Sequence, residues 1–205
     1  MRRFKTRRVQ RLELGAPIIV VSGLPRSGTS LAMQMLVAAG YDPVQDRMRQ
    51  ADIDNPNGYY EDERVKGLAD NSDKAWLREA RGRAIKIISF LLPQLPAANT
   101  YQIIFMQRHL DEILASQNKM LAHRGVPDRT SDAAMRRLYE QHLEQVYQLI
   151  QSRPTMSMID IGYHDMVTAP AAQAQKINAF LGGHGDVARM AAVVDKNLYR
   201  NRASQ

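Results

Sequence analysis

A chain of 205 residues, 44% of them hydrophobic and 24% charged, is long enough for one substantial core and short for two. That composition excludes an extended or disordered protein and sets the expectation of a single globular domain over 15–202 behind a basic arm at 1–14. The net charge of +7 invites a nucleic-acid reading, but Arg2, Arg3, Lys5, Arg7, Arg8 and Arg11 hold six of the 28 basic residues, leaving 22 against 21 acidic ones.

The body is therefore almost neutral, no nucleic-acid partner is expected, and the arm is read as a solvated terminus. No apolar run approaches the roughly 18 residues of a bilayer span, and no signal-type apolar segment follows the basic stretch. The absence of cysteine excludes disulfides and thiolate sites and suits a reducing compartment, so a cytoplasmic location is expected. His109, His123, His142, His164 and His184 lack metal-ligand spacing, and no metal site is expected.

In chain order, Ala16-Pro17-Ile18-Ile19-Val20-Val21 reads as a strand buried on both faces, bounded by Gly15 and Gly23. Thr29 to Ala39 follows as a helix closed by Gly40 in the left-handed conformation. A long loop with a dense turn signal at Asp54-Asn55-Pro56-Asn57-Gly58 leads to a second strand over Ala84 to Phe90 and a third over Tyr101 to Met106. Helices are expected at Leu110 to Leu121 and Asp132 to Ile150, with Pro127 between them. A strand at Thr155 to Ile161 and a helix at Ala171 to Leu181, closed by Gly182-Gly183, complete the pattern. Alternating strands and helices imply a three-layer α/β/α architecture of P-loop type, with a mostly parallel central sheet.

The segment Ser22-Gly23-Leu24-Pro25-Arg26-Ser27-Gly28-Thr29-Ser30 lies between the first strand and the first helix. Glycines at 23 and 28 let the backbone curl, and the helix N-terminus supplies the positive end of a dipole. Arg26 adds a full charge, and Ser27, Thr29 and Ser30 add hydroxyls, so the segment suits a phosphate. A nucleotide-triphosphate loop would carry lysine where Thr29 stands, which weakens a kinase or NTPase reading. Farther on, Arg108 ends a strand and Ser116 lies eight residues later, two turns into a helix, a spacing that lets both converge on one anion.

These residues resemble a known family. Gly23-Leu24-Pro25-Arg26-Ser27-Gly28-Thr29-Ser30 is similar to the 5′-phosphosulfate loop of sulfotransferases, of the form Pro-[Lys/Arg]-Ser-Gly-Thr. Arg108 and Ser116 match the family's 3′-phosphate pair. Tyr163-His164-Asp165, Pro170 and Phe180-Leu181-Gly182 resemble its later strand end and helix, and are read as architectural. Asn55-Pro56-Asn57-Gly58-Tyr59-Tyr60-Glu61 resembles a segment of bacterial members. The resemblance implies 3′-phosphoadenosine 5′-phosphosulfate (PAPS) as donor and adenosine 3′,5′-bisphosphate (PAP) as product, without a metal. It implies Pro25, Arg26, Ser27, Gly28, Thr29, Ser30, Arg108 and Ser116 as donor-binding residues.

Two elements of the family pattern are missing. The segment that bears a catalytic histidine in cytosolic members has only the echo Lys86-Ile87-Ile88-Ser89. The C-terminal Arg-Lys-Gly element is replaced by residues 193–202, where Arg200 or Arg202 could fold over the donor or lie in a solvated tail. Sulfuryl transfer needs in-line positioning and charge stabilisation, which assigns Arg26 as the principal cation and Lys86 as a second. Glu61 is the candidate base ahead of Asp62 and His109, with capping of the following helix as its alternative role. The acceptor, a small molecule, carbohydrate or peptide bearing a hydroxyl or amine, is not encoded in any motif. The competing readings are a P-loop small-molecule kinase or NTPase and a non-catalytic nucleotide-binding module.

Overall fold

The computed structural model describes residues 14–46, 48, 58–70, 73–123, 125 and 130–195. The basic residues of the N-terminal arm, the Asp54 to Asn57 part of the turn, Pro127 and residues 196–202 lie outside the described residues.

Five parallel strands form one sheet in the order β2-β3-β1-β4-β5. The central strand β1 (Ile18–Gly23) is buried along its whole length, as its uninterrupted β-branched run requires. It pairs with β3 (Ala84–Lys86) on one side and β4 (Tyr101–Gln107) on the other, and β5 (Met156–Gly162) lies beyond β4. The edge strand β2 (Pro43–Val44) directly follows the first helix, so the sheet is rejoined before the long loop and not after it. A two-residue strand carries too little pattern to be recognised from sequence.

The helices expected from sequence are present as α1 (Thr29–Ala38), α3 (Leu110–His123), α4 (Asp132–Ser152) and α6 (Pro170–Phe180). Gly40 at φ 96° ends the first, and Gly182 at φ 101° follows the last. The short helix α2 (Glu63–Lys66) is the one expected to follow Glu61, whereas the short helices α5 (Tyr163–Thr168) and α7 (Val187–Ala192) have no counterpart in the sequence pattern. The strand expected over Ala84 to Phe90 stops at Lys86. Val21 of β1 pairs with Lys86 and accepts one last bond from the Ile87 amide. Beyond that point β1 continues to Gly23 paired with β4 alone, and Ser89 to Gln94 turns as a 3₁₀ segment containing Pro93.

Alternate residues of β1 and β4 serve two separate cores, which produces the three layers. Ile19, Val21, Ile104 and Met106 pack with Met33, Leu36, Tyr163, Met166, Ile177 and Met190. Ile18, Val20, Ile103 and Phe105 pack on the opposite face with Leu77, Leu92, Val146 and Ile150. The chain leaves β1 toward β3 and leaves β4 toward β5. The crevice at their carboxyl ends is therefore a topological switch point, the usual ligand position in such sheets.

Candidate donor-binding site

The loop after β1 is held by three contacts. Leu24 is anchored beneath it with Ile113 and Leu114 of α3 and Tyr139 of α4. The Ser27 amide donates to the Leu24 carbonyl at 3.1 Å, closing the turn. Arg26 takes φ 69°, a left-handed conformation unfavourable for a side-chain-bearing residue. Its carbonyl accepts from Nη1 of Arg108 at 3.1 Å, so an arginine from another strand end fixes the strained residue.

Two glycines are demanded by close approach. A Cβ on Gly23 would overlap Ser27 Oγ and stand 2.7 Å from the Met106 carbonyl oxygen. One on Gly28 would overlap the edge of the Tyr163 ring, 2.9 Å from Cε2 and closer still to Cδ2, and both glycines have positive φ. Gly28 is the N-cap of α1 and offers no capping side chain to the first-turn amides, which suits an anion at that end. Ser22 Oγ and Ser27 Oγ are buried without a hydrogen-bond partner among the described residues. A pocket of backbone and hydroxyl groups at a helix N-terminus, with buried hydroxyls left unsatisfied, fits a phosphate-type ligand.

The residues singled out in the sequence form two clusters on either side of this loop. In the first, Arg26 Nε donates to Ser116 Oγ at 3.0 Å, across 90 residues of sequence. Arg108 stands beside them, its guanidinium 4.4 Å from the centre of the Tyr163 ring and its Nε 2.8 Å from Glu112 Oε2. Arg26, expected as the principal cation, thus reaches toward the serine of the expected 3′-phosphate pair. In the second cluster, Lys86 Nζ lies 3.0 Å from Glu61 Oε1 and 3.5 Å from Ser30 Oγ, and it also donates to the Tyr59 carbonyl. Lys86 is only 7% exposed. It therefore links the α1 N-terminus to the loop that carries Glu61.

Capping of α2 falls to Asp62, whose carboxylate accepts from the Arg64 amide, and Glu61 instead faces Lys86. His109 is exposed against Asp111. Two site-building residues escaped the sequence reading. Tyr163, taken as architectural, is wedged between Gly28 and Arg108. Burial raises its hydroxyl pKa, with Arg108 acting in the opposite sense. Glu112 is 6% exposed and pairs with an Arg108 side chain that is 8% exposed. The i,i+4 spacing of Arg108 and Glu112 across the start of α3 was the available signal for that pair.

Residues 68–184, more than half of the chain, match the family model described as Sulfotransferase family, and the chain belongs to that family. It is accordingly an enzyme of sulfuryl transfer. The matched span includes Lys86, Arg108 and Ser116 and begins after the loop at 22–30. Three solved structures are similar over 90% of this chain. The sulfotransferase domain from the curacin biosynthetic pathway has 14% identity and a TM-score of 0.47, with 89% of its own length covered. A mouse sulfotransferase complexed with PAP has 17% identity and a TM-score of 0.49, with 64% covered. A sulfotransferase from Alicyclobacillus acidocaldarius has 15% identity and a TM-score of 0.48, with 99% covered. A sequence search of curated proteins finds no match. Among the described residues, no helix is long and apolar enough to cross a membrane, and no cluster of three or more His, Asp or Glu could hold a metal.

Proposed function

We propose that the chain folds its residues from 15 onward into one catalytic domain that takes PAPS as sulfuryl donor. The 5′-phosphosulfate would lie in the loop from Pro25 to Ser30, and the 3′-phosphate would lie against Arg108 and Ser116. The observation that carries this reading is the direct linkage of loop and strand end: Arg26 bonds to Ser116, and Arg108 bonds to the Arg26 carbonyl. Two phosphate-binding elements far apart in sequence thereby meet at the switch point, as a donor with phosphates at both ends of a ribose demands.

Lys86 reaches the α1 N-terminus through Ser30, 3.5 Å from its Nζ. It suits stabilisation of charge on the leaving phosphate. Glu61, held by Lys86, is the carboxylate available to accept the acceptor's proton. In that step the acceptor oxygen or nitrogen bonds to sulfur as the sulfur–oxygen bond to the 5′-phosphate breaks. The acceptor, whether a small molecule, a carbohydrate or a peptide, would enter beside the loop that carries Glu61.

Calorimetric titration with PAP and with ADP, both without Mg²⁺, tests the donor assignment. PAP should bind in clear preference to ADP, and Arg108→Ala should weaken it about a hundredfold, the value of one or two charge-assisted hydrogen bonds. Equal affinity for the two nucleotides would refute the assignment, and an Mg²⁺-dependent preference for ATP would favour a kinase.

A further inference from the structure

The 3′-phosphate pocket contains a carboxylate that electrostatics alone would keep out. Glu112 Oε2 lies 2.8 Å from Arg108 Nε, and both side chains are almost fully buried, at 6% and 8% exposure. A phosphate on Arg108 would stand close to this negative charge in a region where water screens poorly. Alternative supports for Arg108 exist. Its Nη1 is engaged by the Arg26 carbonyl, and its plane stacks on Tyr163, itself wedged against Gly28. The guanidinium is thus oriented by two neutral contacts that do not compete with an anion, so the charge on Glu112 is not needed to point it.

Donor and product carry the same 3′-phosphate, so any contact to it strengthens both equally and slows release of the product as much as it favours capture of the donor. From this we infer that Glu112 is a built-in counter-anion for Arg108 that deliberately weakens the 3′-phosphate contact and sets the rate at which PAP leaves. The inference rests on the donor assignment above and deepens it. Glu112 acts through Arg108 by tuning its charge and is not a catalytic residue.

The test uses the full chain with PAP and with 5′-AMP, which lacks the 3′-phosphate, as probes. Dissociation constants come from calorimetry and dissociation rates from stopped-flow displacement. In Glu112→Gln, which keeps shape and removes charge, PAP should bind about tenfold tighter or more and leave correspondingly more slowly, while 5′-AMP is unchanged. Glu112→Asp, which keeps the charge, should return PAP binding toward that of the wild type. The inference is overturned if Glu112→Gln weakens PAP, if it shifts PAP and 5′-AMP alike, or if the Asp variant behaves as the Gln variant. Should Glu112→Gln fail to fold, the Asp variant decides, because weakened PAP selectivity despite retained charge would mark a purely steric role. Wild-type protein that binds PAP no better than 5′-AMP would overturn the donor assignment itself, whereas normal selectivity with an unaffected Gln variant would overturn only the role of Glu112.

Discussion

Replacing Gly28 by alanine tests whether the loop geometry is held by the Tyr163 ring. Two costs arise at this position, and the chain provides a control that separates them. Gly28 has φ 101° and Gly40 has φ 96°, so alanine meets nearly the same backbone penalty at both, about 1–2 kcal/mol. At Gly40 nothing lies within 4 Å of the new methyl, whereas at Gly28 it overlaps the buried ring of Tyr163. Forcing a methyl into a packed site adds roughly 1–3 kcal/mol. At about 3 °C per kcal/mol for a domain of this size, Gly40→Ala should lower Tm by about 4 °C and Gly28→Ala by about 10 °C. The ring cannot move without disturbing the guanidinium stacked on it, so PAP affinity should fall in Gly28→Ala and hold in Gly40→Ala. Thermal melts and PAP titrations on both variants give the comparison. Equal Tm losses, or unchanged PAP binding in Gly28→Ala, would refute the wedge.

Lys86 and Glu61 should be energetically coupled. Lys86→Met removes a cation from beside the Glu61 carboxylate and a donor from the Tyr59 carbonyl, and with Glu61 24% exposed the loss should be about 1–3 kcal/mol, below that of a fully buried pair. The double variant Lys86→Met/Glu61→Gln should recover about 1 kcal/mol in a denaturant-melt cycle; strict additivity would disprove the coupling. His142 supplies a pH prediction. Its Nε2 lies 2.8 Å from Ser89 Oγ and its ring stacks 3.8 Å from Phe90, and burial holds its pKa below the ordinary 6.5. The folded state therefore resists protonation there. The contribution of His142 to stability is complete above about pH 6.5 and is lost as pH falls through that value toward the folded pKa. In His142→Gln the drop in Tm between about pH 7.5 and pH 5.5 should be smaller than in the wild type, and an identical drop would exclude the histidine as its source.

The central strands, four longer helices and the two segments proposed to hold the donor were legible because each is a local pattern. The β-branched run of β1, the glycine-bounded helices and the Arg108 to Ser116 spacing state their structure within a dozen residues. What was not legible depended on partners elsewhere in the chain. The Ala84 to Phe90 run has strand-like composition throughout, yet it pairs with β1 only as far as Lys86 and turns into a 3₁₀ segment at Ser89. Asp62 and Glu61 are adjacent carboxylates ahead of one helix, and only the position of Lys86 decides which caps and which pairs.

The same distinction explains why the supports of the site were harder to read than its ligand-facing groups. A residue that meets a phosphate must have a particular chemistry, and arginine, serine and glycine advertise it at fixed offsets. A residue that holds such a group need only fill a volume or supply a charge from the correct direction, as Tyr163 does for Gly28 and Arg108. Glu112 is the instructive case. Its i,i+4 relation to Arg108 is visible in the sequence and is satisfied equally by an exposed pair of little consequence or by a buried pair inside an anion site. Burial distinguishes the two, and burial comes from the packing of α3 against the loop through Leu24, Ile113 and Leu114, a contact that no local pattern encodes.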